Sequence, residues 1–135
     1  MAGVVAATVW SVLEPLDERL FRSDYSDVAV LGKAVTRGRG WLPAGLAIHA
    51  VNGAIFGLAY DVVRRRVPYD GRRVAVGMAL AEHCALFPLG ALVDRYHPAR
   101  GESGIPRVTT LRAFGQATVR HAVFGFVLGR LSREP

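Results

Sequence analysis

Apolar residues gather into four long runs, at about residues 2–20, 41–63, 74–93 and 109–131, with charged residues concentrated between them. The second run is the strongest: 23 residues with only His49, Asn52 and Asp61 strongly polar, opening on Trp41 and stopping at Arg64-Arg65-Arg66. At 1.5 Å per residue a helix of that length reaches roughly 34 Å, enough to cross a bilayer. The third run carries Glu82, His83 and a kinking Pro88. The fourth has Arg112, Gln116 and Arg120 along one side of its first half, and the first is short and turns polar at Glu14. Between the first two, Asp24 is placed to cap a helix from Tyr25 to about Thr36, where Val28, Leu31 and Val35 recur at helical spacing. With Asp27, Lys33 and Arg37 elsewhere on its surface, that helix is expected to lie in the membrane interface. The predicted fold class is all-α: a polytopic membrane four-helix bundle plus one interfacial amphipathic helix, forming a single membrane domain over residues 1–135.

A signature, His-Ala-Val-x-Gly-x-x-x-Gly, occurs at residues 49–57 and again at 121–129. Pro15 and Pro88 are similarly offset, by 73 residues against 72 for the two histidines. This spacing predicts two tandem two-helix repeats, about 1–68 and 69–135, entering the membrane in the same orientation. Gly45, His49, Gly53 and Gly57 fall on one helical line, as do Ala117, His121, Gly125 and Gly129. Small residues at every fourth position let helix backbones approach closely. The expected packing face is therefore Gly45, Gly53, Gly57, Ala117, Gly125 and Gly129, with the second and fourth runs crossing along it.

Composition narrows the partners. Hydrophobic residues make up 51% and charged ones 21%, so the averages alone fit a soluble protein nearly as well; the segregation decides for lipid. The net charge is +6, and all but one of the 17 basic residues are arginine. These flank apolar runs without interleaved aromatics, which favours lipid headgroups and predicts no nucleic acid partner. The expected partners are the lipid bilayer together with other membrane subunits or a second copy of the chain. The arginine and glycine bias suggests a bacterial plasma (inner) membrane. The arginine-rich connection at 64–73 should be cytoplasmic, placing both termini there too. No cleavable signal peptide is expected, since the apolar start lacks a basic leader and runs into Glu14-Pro15.

The stretch Phe56, Tyr60-Asp61-Val62-Val63, Pro68, and then His83-x-x-x-Phe87-Pro88-Leu89 resembles the YagU-like family of small bacterial inner-membrane proteins. The likeness covers residues 53–92. It implies membrane embedding and carries over no mechanism.

The chemistry-bearing candidates are His49, His121, His83, Glu82 and Arg120. Glu82 and Arg120 form a natural intramembrane ion pair, because charged groups at such depth face the bundle interior in pairs. Read functionally, Glu82, His83, His49 and His121 make a proton path, since histidine titrates near neutrality. Two imidazoles on facing helices also suit a bis-histidine haem b, the glycines leaving room for a porphyrin edge. A bare metal would take His49, His121 and His83 with Glu82 or Glu14. Glu14 and Asp17 are expected at headgroup level with Arg19 and Arg22. Cys84 is expected to be buried and inert, as neighbours on a helix do not face each other. No nucleotide-binding, serine-hydrolase or zinc-protease motif is present. The function these features favour is a non-enzymatic structural or accessory subunit of a membrane complex or homo-oligomer. A haem or metal redox protein and a small proton-coupled transporter or channel stand as alternatives.

Overall fold

The computed structural model describes residues 1–132. It contains six α-helices: α1 (Ala2–Phe21), α2 (Asp27–Val35), α3 (Trp41–Arg64), α4 (Gly71–Leu86), α5 (Gly90–Tyr96) and α6 (Leu111–Leu131), with no strand among the described residues. Pro88 has no N–H to give the α4 ladder, so the chain tightens into a 3₁₀ turn at Phe87–Leu89 before α5 resumes. The helix starts are built locally. Asp70 caps α4 by accepting from the Arg72 N–H (2.9 Å), and Thr110 caps α6 by accepting from Ala113 (3.1 Å). The cap of α2 is Ser26, through the Ala29 N–H, and not Asp24 as expected. Asp24 accepts instead from Gly104 N–H in a distant loop.

The glycine lines set the packing, but with other partners than the sequence suggested. A Cβ built on Gly53 would stand 2.6 Å from the Gly3 carbonyl oxygen, and one on Gly45 would stand 2.1 Å from that of Val28. Gly57 lies against Gly3 as well. On the other side, a Cβ on Gly125 would meet the Val76 Cα at 2.6 Å, and one on Gly129 the Arg72 Cα at 2.6 Å. So α3 seats α1 and α2 along its glycines, and α6 seats α4 along its own. The predicted crossing of α3 with α6 along these lines is corrected: the two meet through side chains, Phe56 on Phe124 and Gly57 near Leu128. The reason is geometric, since each glycine groove is already filled by the backbone of another helix.

These contacts run in opposite chain directions along α1 against α3 and α4 against α6. The start of α1, the arginine-rich 64–73 turn and the end of α6 therefore share one end of the molecule. At the other end, α2 and the 97–110 loop pack on each other around Ala29, Ala99 and Ile105. His97 is fixed there: its Nδ1 accepts from the Ala99 N–H (3.1 Å), so its Nε2 donates to the Val30 carbonyl (2.9 Å). Lys33 and Arg37 clasp Glu102 over the same joint. The guanidinium and ammonium beside it hold the Glu102 carboxyl below the usual range.

Apolar residues face outward to an unusual degree. On α3 the exposed residues include Leu42, Leu46, Val51, Ile55, Leu58 and Val62, while Gly45, His49, Gly53, Phe56 and Tyr60 are buried. Trp41–Arg64 and the continuous Gly71–Tyr96 stretch are long and apolar enough to cross a membrane. Only 22% and 11% of their most apolar windows is buried, whereas the core helix of a water-soluble protein hides most of its apolar length.

Candidate functional site

The charged interior is organised by Arg120. Its side chain is almost fully buried and all five N–H donors are engaged. Nε and one Nη hold Asp17 in a bidentate pair at 2.6 and 2.5 Å, with the same Nη also donating to the Tyr25 carbonyl at 2.8 Å. The other Nη reaches Asp27 at 2.7 Å and Glu14 at 3.5 Å. Around this core, Trp10 and the Tyr25 hydroxyl donate to Asp27, Ser26 donates to Glu14, and Gln116 donates to Asp17. Burial works to raise the Asp27 carboxyl, but Arg120 and the Tyr25 hydroxyl outweigh it and hold the group below its ordinary value.

Two expectations change here. Glu82 is not the partner of Arg120; it is exposed on α4, and Arg120 is saturated by acids from the first thirty residues. Glu14 and Asp17 are accordingly buried inside the bundle and paired with Arg120, not with Arg19 and Arg22 as expected. The signal was in the sequence: Trp10, Glu14 and Asp17 recur at one helical spacing on α1, as Gln116 and Arg120 do on α6.

Beside this cluster the two long apolar stretches part. Near their shared turn the Tyr60 hydroxyl donates to the Gly71 carbonyl. Further along, a cavity of about 700 Å³ opens between α3 and α4, reaching inward to α1 and α6. Its rim is formed by exposed Asn52, Ile55, Ala59, Glu82, Leu86 and Leu89. Its inner wall carries His49, His83 and His121 around Trp10, so four of the five candidates share one space and Arg120 stands outside it. The rings form a row. Trp10 meets His49 edge-on at 5.1 Å and His121 edge-on at 4.7 Å, and His121 stacks on His83 at 4.8 Å.

The hydrogen bonds assign protons. The Thr118 hydroxyl donates to the Phe114 carbonyl, which leaves it to accept from His83 Nε2 at 3.0 Å. His121 Nδ1 lies 2.7 Å from the Ala117 carbonyl and must donate to it. His49 Nε2 is buried with no partner among the described residues.

This arrangement does not suit the metal readings. Among the described residues no three metal-ligating side chains converge, and Glu14 is held in the arginine cluster. His83 gives its Nε2 to Thr118 and His121 its Nδ1 to Ala117, so neither of those nitrogens has a lone pair to offer an ion. The space imagined for a porphyrin edge beside the glycines is occupied by the backbones of α1 and α4, and Trp10 contacts both His49 and His121. Cys84 is exposed on the outer face of α4, contrary to the expected buried thiol. No family model matches the chain, and no curated protein or solved structure is similar to it.

Proposed function

We propose that this chain is a non-enzymatic integral membrane component, a four-span bundle made of two related hairpins, α1 with α3 and α4–α5 with α6. The observation that carries the reading is the inverted distribution of polarity. Arg120, Glu14, Asp17, Gln116 and three histidines are buried, while aliphatic side chains cover α3 and α4 outside. In water that arrangement forfeits the main driving force of folding; in lipid it is the favourable one, because intramembrane charges need partners and apolar surface does not need hiding. The equivalent seating of α1 on α3 and of α4 on α6 supports a duplication. The YagU-like resemblance over residues 53–92 fits the same reading.

A role as a subunit or self-assembling component is supported by how the ionisable side chains are used. The acids and arginine of the central cluster bind one another, and so lock helices. Glu82 is different: it stands exposed at the cavity rim halfway along Gly71–Tyr96, where a carboxylate meeting hydrocarbon costs about 3 kcal/mol. A neighbouring membrane subunit or a second copy relieves that cost. The shared end bearing 64–73 would be cytoplasmic in a bacterial plasma membrane. Alkaline carbonate washing of membranes tests the embedding. Retention in the pellet, with release by detergent, is expected; release by carbonate alone would refute it.

A further inference from the structure

The cavity between α3 and α4 is more than a packing defect. Its volume, about 700 Å³, lies within the 300–1,000 Å³ range of sites that hold drug-sized ligands. Its mouth lies between two helices whose outer faces are aliphatic, so on the membrane reading above it opens sideways into the acyl chains. An uncoupled void of this size would be filled by lipid tails alone if its walls were apolar throughout. They are not. His49 is 9% exposed, and its buried Nε2 has no partner while lining this space. A neutral imidazole that uses its single N–H on a backbone carbonyl presents its second nitrogen as an acceptor. That holds for His121, which donates to Ala117 through Nδ1. The deep wall therefore offers an acceptor at His121 Nε2 together with the unpartnered His49 Nε2. Its charges point the same way: Asp27 and Glu82 line the cavity and no lysine or arginine does, which disfavours an anionic head.

We infer that this cavity binds a lipid-soluble alcohol or phenol, entering from the bilayer between α3 and α4, with its hydroxyl donating to His121 Nε2 or hydrogen-bonded to the unpartnered His49 Nε2. The hydrocarbon part lies along Phe56, Phe124 and the rim residues Ile55 and Leu86. A buried polar nitrogen left unmatched is costly, so the hydroxyl supplies selectivity that a plain hydrocarbon lacks.

The test uses the full chain in phospholipid nanodiscs with Trp41→Phe, so that Trp10 on the cavity wall is the remaining indole. 2,2,2-Tribromoethanol and tribromoacetic acid serve as quenching probes, their bromines staying close to the oxygen that would sit beside Trp10. The alcohol is expected to quench Trp10 saturably. Half-saturation should shift about tenfold, the equivalent of one hydrogen bond, in His49→Leu with His121→Leu. Ala59→Phe, which plugs the exposed mouth without entering the packed interior, should weaken it at least as much and covers the case in which the histidine variants do not fold. The acid should quench weakly and without saturation. Quenching that rises linearly and equally for both probes in every variant would mean bilayer partitioning and would overturn the site. Saturable quenching that ignores both histidines, or that favours the acid, would overturn hydroxyl recognition. Either result leaves membrane embedding standing, whereas that premise falls if the protein stays out of the nanodiscs.

Discussion

Arg120 places one guanidinium among three carboxyl groups from α1 and α2, and a planar five-donor fork is what lets a single side chain serve them all. Replacing it with methionine keeps the length and removes every donor, leaving the acids buried against one another. The expected loss is about 3–5 kcal/mol, seen as a lower unfolding temperature in detergent by circular dichroism. Arg120→Lys should recover only part of it, because an ammonium cannot hold Asp17 through two parallel bonds and still reach Asp27. Equal stability of all three proteins would show that the cluster does not tie the helices. The cluster was half legible. The spacing of Gln116 and Arg120 marks a polar face on α6, but choosing its partner needs the order of helices around the bundle. Periodicity within a helix does not contain that order, so it points to Glu82 as the partner and leaves Asp17 with Arg19 and Arg22.

Among elements, close approach is decided by a few glycines, and the contrast between them is testable. Gly53→Ala drives a methyl into the Gly3 carbonyl and the Ala7 side chain, and Gly125→Ala does the same against Val76. Each should lower stability by about 1–3 kcal/mol. Gly77 has open space around its position, so Gly77→Ala should be neutral or add up to about 1 kcal/mol through helix propensity. Parallel melting curves would expose the account if all three behaved alike. The seams themselves were readable from the fourfold spacing of small residues; their partners were not, since a small-residue line says that something approaches and not what. The outer joint of α2 with the 97–110 loop was hidden for a related reason. A loop with no periodicity gives no signal that Glu102 will reach Lys33 and Arg37.

That joint should respond to acid. Glu102 and Asp27 both titrate below their ordinary values in the folded protein, so each contributes stability above the unfolded value of about 4 that is lost as pH falls through the folded one. The unfolding temperature should therefore drop as pH falls below about 4. Glu102→Gln, outside the buried cluster, should flatten part of that slope and leave the remainder. A pH profile identical to the parent's would show that the Arg37 and Lys33 contacts add nothing in solution.

For the whole molecule, the account stands on lipid as the outer solvent, and here the sequence was most informative. The segregation of apolar runs from arginine clusters anticipates the two long outward-facing stretches at Trp41–Arg64 and Gly71–Tyr96. What it left out is the space between them, because a cavity is a property of how helices diverge. Cys84 offers the most direct check, being the single cysteine of the chain, exposed, and near the middle of Gly71–Tyr96. In freeze–thawed vesicles, which admit it to both faces, a charged, membrane-impermeant maleimide should leave Cys84 unmodified until detergent or denaturant is added. A cysteine introduced by Arg66→Cys in a Cys84→Ser background should react at once, since the 65–70 turn lies at the aqueous end. Prompt labelling of Cys84 in intact vesicles, at the rate of a free surface thiol, would contradict the membrane-embedded fold.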